Sequence, residues 1–241
     1  MGARSSYQLL SALPMYYSRT VQDPGIIGGL YSSTATISVL ARKSRKASEQ
    51  EATDYVAAML LAVSMMFLRF MILILIFSRE IFLSIYPYLL TMAVVAAIVA
   101  WFIHSRQKRP EGQSAETEED DSSNPLEFKV ALIFAILFVI FTFLTHYTLV
   151  YAGTGGLNLL SFVSGFSDIT PFILNLLQNT GSVAALIITA CSMQAIISNI
   201  MVNMFYALFF AGKGSKLRPW ILGGFGVVIT CNLVLLLFFY I

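Results

Sequence analysis

The sequence predicts an all-α integral membrane protein with five long transmembrane helices plus two broken or re-entrant helical segments, arranged as an inverted repeat. Three observations carry that expectation. Hydrophobic residues make up 57% of the 241 residues and charged residues only 12%, against about 25% charged in an ordinary soluble domain. The charges cluster in connecting stretches and leave apolar runs long enough to cross a bilayer, since about 20 residues at about 1.5 Å each span the hydrocarbon. A glycine-and-hydroxyl phrase also occurs once in each half, as Gly29-Leu30-Tyr31-Ser32-Ser33-Thr34 and Gly165-Phe166-Ser167-Asp168-Ile169-Thr170. Paired glycine-bearing interruptions in two halves of a membrane chain point to a binding site between repeats.

Residues 1–23 are apolar in part but broken by Pro14, and read as an N-terminal remnant or interfacial segment without the apolar core of a secretory signal. Residues 24–103 form the first membrane repeat. It opens on the turn signal Asp23-Pro24-Gly25 and carries the first phrase, the basic run Arg42 to Lys46, and two spans at 55–77 and 81–103 divided by Arg79-Glu80. Residues 104–127 turn from basic to acidic and read as a solvated cytoplasmic linker. Residues 128–241 form the second repeat, with spans at 128–151, 182–210 and 219–240. Its broken segment, 157–178, is interrupted by Gly165, Asp168 and Pro171. The phrases align at an offset of 136, while the alanine pairs Ala57-Ala58 and Ala184-Ala185 align at 127, which predicts a longer connector in the first half. A first-half counterpart of span 128–151 would start before residue 1, so that half is expected to be clipped.

Orientation follows from the positive-inside rule. Arg42 to Lys46, then Arg106, Lys108 and Arg109, fall on the cytoplasmic side. The loop with Lys213, Lys216 and Arg218 joins them only if 157–178 dips into the membrane and returns. The two halves then have opposite topology.

The candidate site follows from polar residues in apolar surroundings. Asp168 is the lone acid inside an apolar membrane segment, a costly placement unless it faces protein, water or an ion. Ser167 and Thr170 stand beside it, and Ser32, Ser33, Thr34 and Thr36 occupy the matching place in the first half. A carboxylate, hydroxyls and carbonyls freed by a helix break are hard oxygen ligands suited to a small cation or a proton; with an N-capping role as the structural alternative, the metal is left unknown. Arg69 is the basic residue deep in a span. It could pair with Asp168, bind an anionic solute or hydrogen-bond freed carbonyls. Gln194, Ser198, Asn199 and Asn203 put amides along one span, either as glue between helices or as the wall of a polar pathway, with Gln194 and Asn199 taken into the site.

Several classes lack support. No basic run interleaved with aromatics points to nucleic acid. Cys191 and Cys231 lie in spans and read as packing residues, and Gly223, Gly224 and Gly226 as close helix packing. No catalytic or phosphate-loop motif occurs, so neither an enzyme nor a cofactor is expected.

Gly28-Gly29-Leu30-Tyr31-Ser32-Ser33-Thr34-Ala35-Thr36, Met66-Phe67-Leu68-Arg69, Asn124-Pro125-Leu126-Glu127 and Ser164-Gly165-Phe166-Ser167-Asp168 occur in that order. Together they resemble an uncharacterised prokaryotic integral membrane domain family often found C-terminal to MgtC/SapB-like domains. The resemblance runs from about Gly25 to the C-terminus. It implies a helical membrane fold, a prokaryotic inner or plasma membrane, and an MgtC-like membrane partner or a homo-oligomer. Members commonly carry a second acid two places after the aspartate, where this chain has Thr170, a departure that weakens a divalent-metal reading. The functional expectation is a transporter or channel-like protein for a small ion or solute in the lipid bilayer. The alternative is a non-transporting regulatory or scaffolding membrane subunit.

Overall fold

The long helices form where apolar sequence runs uninterrupted, and they end where charge or glycine returns. The structure, a computed structural model, describes residues 22–45, 49–105, 125–178, 183–212 and 217–240. Among these residues the chain is all helix: α1 (Gln22–Lys43), α2 (Glu49–Phe77), α3 (Arg79–Ser105), α4 (Pro125–Ser164), α5 (Ile169–Gln178), α6 (Ala185–Ala211) and α7 (Arg218–Tyr240). The segment expected at the N-terminus and the body of the charged linker fall outside the described residues, as do Lys213 and Lys216.

Among the described residues four helices are long and apolar enough to cross a membrane: Thr53–Phe77, Arg79–Ser105, Ala185–Ala211 and Arg218–Phe238. The fifth expected span, 128–151, falls in the first limb of α4, where Phe138–Gly153 is a shorter apolar helix. That limb stops at Gly153, whose φ of 58° only glycine adopts without strain. Ile76, Leu83, Ile98, Trp101 and Phe238 are exposed on the outer faces, an apolar surface suited to lipid. α2 starts at Glu49, six residues before the expected boundary.

Helices α2 and α3 form an antiparallel hairpin joined by the single residue Ser78. Ser78 donates its N–H to the Ile74 carbonyl, and its own carbonyl accepts from Phe82. Ser64 Oγ donates to the Ala93 carbonyl at 2.8 Å midway, and His104 Nδ1 lies 2.7 Å from Asp54 Oδ1 at the open end.

Helix α1 is a second kind of hairpin, folded within itself. Its one non-helical residue is Ser32, with φ −154° and ψ 103°. A side chain on Gly28 would collide with Thr36, eight residues on. A straight helix would hold those positions about 12 Å apart, so the limb after Ser32 turns back along the limb before it. The first limb runs alongside α2 in the same direction: Gly25 rests on the backbone of Ala58 and Gly29 on that of Ala62.

The second half repeats this plan. The limb of α4 after Gly153 runs parallel to α6, with Ser161 Oγ donating to Gln194 Oε1 at 2.9 Å and Ser198 Oγ to the Phe162 carbonyl at 2.7 Å. Gly165 rests on Ser198 as Gly29 rests on Ala62, and each pair is separated by 33 residues. After the break at 165–168, α5 turns back. Six residues join Gln178 to Ala185, so these lie within about 25 Å of one another, whereas α6 is about 40 Å long. Had α5 continued onward from the middle of α6, Gln178 would end about 35 Å along it, out of reach.

One offset relates the halves from the hairpin tips to the starts of the long helices. Gly29 and Gly165, Ser32 and Asp168, Ala62 and Ser198, and the first residues of α2 and α6 are each 136 apart. The alanine pairs at 127 are therefore not structural equivalents, and no longer first-half connector is needed. The contacts between halves are reciprocal: α1 packs on α6 as α2 packs on α5, α3 on α6 as α2 on α7, and α3 on α7. Phe67, Phe70, Phe172 and Phe225 are fully buried in the resulting core. A buried hydrogen bond from Tyr88 to Asn232 ties α3 to α7. Of the three glycines in α7, Gly224 meets Leu60 and Ile103, while Gly223 and Gly226 face open space among the described residues.

Candidate functional site

A break in a helix leaves backbone groups unpaired, and each tip here supplies its own partners. At the first tip, Ser32 Oγ accepts the Ala35 N–H at 3.4 Å, and the freed Ser32 carbonyl accepts from Thr36 Oγ1 at 2.8 Å. At the second, Gly165, Phe166 and Ser167 form a tight turn through N–H bonds to the Phe162, Val163 and Ser164 carbonyls. Asp168 Oδ1 then accepts the Thr170 N–H at 2.9 Å and caps α5. Ser32 and Asp168 thus do the same job in the two halves, one with a hydroxyl and the other with a carboxylate.

The tips meet at one cleft of about 520 Å³. Ser32, Ser33 and Thr34 line it from α1, and Ser167, Asp168 and Ile169 from the second tip. Arg69 enters from α2, its Nη2 donating to Thr170 Oγ1 at 3.1 Å. Asp168 attracts the guanidinium electrostatically. Both short helices that begin at the breaks, residues 33–43 and α5, direct their positive N-terminal ends to this region.

Of the ten residues expected in the site, seven line the cleft: Ser32, Ser33, Thr34, Arg69, Ser167, Asp168 and Asn199. Thr36 sits behind the first tip, holding the Ser32 carbonyl, and Thr170 serves as the anchor for Arg69. Gln194 lies off the cleft, bonded to Ser161 in the seam between α4 and α6. The α6 amides mainly brace the broken helix: Asn199 Nδ2 donates to the Gly165 carbonyl at 3.2 Å, and Asn203 Nδ2 to Asn199 Oδ1 at 3.2 Å. Asp168 is exposed to the cleft rather than enclosed in apolar surroundings.

Ala35, Ser38, Phe166, Val202, Tyr206 and Phe210 also line the cleft. Helical spacing contained part of that signal. Ser38 follows Thr34 by one turn, and Val202, Tyr206 and Phe210 continue the face that Asn199 begins. The cleft consequently extends from the tips toward the C-terminal end of α6. There Arg42 sits over the Phe210 ring, 4.3 Å from its centroid. Among the described residues no group of three histidine, cysteine, aspartate or glutamate side chains could hold a metal. Cys191 and Cys231 are free thiols.

Residues 15–211 match the family described as a domain of unknown function, DUF4010. An uncharacterised protein of Aquifex aeolicus (strain VF5) is 26% identical over 216 residues, covering 88% of this chain and 91% of that protein. No solved structure matches. With the family match covering most of its length, the chain belongs to the DUF4010 family, a domain of unknown function.

Proposed function

We propose that this protein moves a small ion or solute across a membrane, and that the transported species passes through the cleft where the two helix tips meet. The observation that carries the reading is that Ser32–Thr34 and Ser167–Asp168, 136 residues apart, face one shared polar cleft together with Arg69. Polar breaks whose freed backbone lines a cavity are how helical membrane proteins build solute sites.

The repeat is inverted in this proposal, and both broken segments are re-entrant. Arg42, at the end of α1, lies against Phe210, near the end of α6. Helix α2 starts close to the level at which α6 ends, so the two equivalent helices run in opposite directions. Each hairpin enters beside the start of its long helix and turns back halfway, so the tips approach from opposite faces. The basic residues Arg42, Lys43 and Arg45 then share a side with Arg218, as the positive-inside rule favours for a cytoplasmic face. The setting is the inner or plasma membrane of a prokaryotic cell.

Flux measured in proteoliposomes tests the site. Arg69→Ala and Asp168→Asn should both change transport while the purified protein stays folded. Unchanged flux in both variants overturns the site assignment. Absence of flux from the isolated chain, with a stoichiometric membrane protein such as an MgtC-like subunit co-purifying, replaces transport with the regulatory role.

A further inference from the structure

The charge at the tips, rather than the list of oxygen atoms, decides which solute the cleft can hold. A cation site needs an excess of negative charge, and this cleft has none. Two short helices start at the cleft, each contributing about half a positive charge at its N-terminus, and the two limbs that end at the same breaks contribute about as much negative charge at their C-termini. Arg69 adds a full positive charge from a side chain that cannot deprotonate in a protein. Against these stands one carboxylate. Its Oδ1 is engaged by the Thr170 N–H, so Asp168 is already satisfying the end of α5. The charges therefore nearly cancel, but the carbonyls at the limb ends are taken by Thr36, Gly165, Phe166 and Ser167, whereas Arg69 brings its guanidinium to the cleft.

A second observation concerns Ser33. It is 4% exposed, lines the cleft, and its hydroxyl makes no hydrogen bond among the described residues. Of the nearby hydroxyls, Ser38 donates to the Thr34 carbonyl, Thr36 to the Ser32 carbonyl and Ser167 to the Ser164 carbonyl, while Thr34, the next residue, faces the cleft as Ser33 does. A hydroxyl that opens onto a cavity and has no partner in the protein can donate to an acceptor bound there. It sits at the first position of the limb that begins after Ser32, where the helix end also favours negative charge.

We infer that the cleft binds a small monovalent anion, held between Arg69, the Ser33 hydroxyl and the N-terminal ends of the two tip helices. This assignment rests on the transport reading of the same cleft and narrows it to one class of solute. It also gives Asp168 a definite part. The carboxylate offsets some of the local positive charge, so a bound anion remains exchangeable. Its removal should tighten anion binding, whereas removing the carboxylate of a cation site would abolish binding.

The test uses the full chain in two formats. In proteoliposomes, nitrate and chloride efflux are compared with ²²Na⁺ and ⁸⁶Rb⁺ uptake. In detergent, thermal stabilisation by nitrate is measured against gluconate at constant ionic strength. The expected result is nitrate or chloride flux and nitrate-dependent stabilisation. Both should fall about tenfold or more in Arg69→Gln and by a smaller factor in Ser33→Ala. In Asp168→Asn, which keeps a capping oxygen, the nitrate concentration for half-maximal stabilisation should fall. Sodium or rubidium flux that disappears in Asp168→Asn overturns the anion assignment and leaves the transport reading standing. Nitrate stabilisation that depends on Arg69 without any flux does the opposite. Neither flux nor stabilisation overturns both. If Arg69→Gln fails to fold, Ser33→Ala and Asp168→Asn decide the matter by the direction in which half-maximal nitrate moves.

Discussion

Asp168 holds two roles that chemistry allows to be separated. Its Oδ1 caps α5 through the Thr170 N–H, and its charge faces Arg69 across the cleft. Asparagine caps a helix about as well as aspartate, whereas alanine does not, a difference of about 1 kcal/mol. Asp168→Asn should therefore melt within a degree or two of the wild type yet change transport, and Asp168→Ala should lose both stability and transport. Equal melting of the two variants in a thermal scan would show that the cap contributes nothing. Ser32 is the equivalent cap in the first half, and its oxygen accepts a longer bond from Ala35 N–H. Ser32→Ala should cost less than Asp168→Ala, within about 0.5–1 kcal/mol by the same measurement. Arg69 is anchored by Thr170 Oγ1. Thr170→Val keeps the shape and removes the acceptor, so transport should weaken without loss of fold, as read by flux alongside a melting scan.

At the scale of the elements, two glycines let each hairpin lie against its long helix. A side chain on Gly29 would overlap the backbone of Ala62, and one on Gly165 would overlap Ser198 and the Asn199 backbone. Neither obstacle is the mobile end of a long side chain, so the limbs would have to move apart. Gly165→Val and Gly29→Val should each destabilise by roughly 1–3 kcal/mol, the usual cost of overpacking. Both should lower flux by displacing a tip. Full stability of either variant in a denaturation series would contradict this packing. The same glycines explain what the sequence made legible. Gly29 with Ser32, and Gly165 with Asp168, were readable as paired helix breaks because glycine and small polar residues are scarce in apolar spans. The fold-back of each limb was half readable, since charge placement favoured a dip at 157–178 and left 25–41 open. Helical spacing puts Val202, Tyr206 and Phe210 on the face of Asn199, but it does not say whether that face meets lipid, core or cleft. Gln194 misled for the complementary reason: an amide in a span signals a buried partner, and here that partner is Ser161. The offset of 127 also misled, since alanine pairs are common in apolar helices, whereas the contacts of Gly29 and Gly165 fix the register at 136.

For the whole molecule, the arrangement of hairpins makes a claim about sides that labelling can decide. Helix α6 ends beside the end of α1, where Arg42 meets Phe210 and Gly212 approaches Arg45. α7 begins nearby at Arg218 and α3 ends nearby, where His104 meets Asp54. By contrast, Ser78 between α2 and α3 and Ala184 before α6 sit at the far ends of those helices. Single cysteines in a background with Cys191→Ala and Cys231→Ala should therefore sort into two groups when a membrane-impermeant maleimide is applied. Arg45→Cys and Arg218→Cys should react from one face, and Ser78→Cys and Ala184→Cys from the other. In the proposed orientation the first face is the cytoplasmic one. Ser38→Cys adds a probe of the cleft itself. Ser38 lines the part that runs toward Phe210, so it should react from the Arg45 face in the conformation described. Reaction should slow when nitrate occupies the tips above it, if the anion assignment holds. Labelling of Ala184→Cys from the same face as Arg45→Cys would break the inverted arrangement, because α6 would then begin and α2 would begin on one side. The tips could not approach from opposite faces in that case, and the shared cleft would lose its place between repeats.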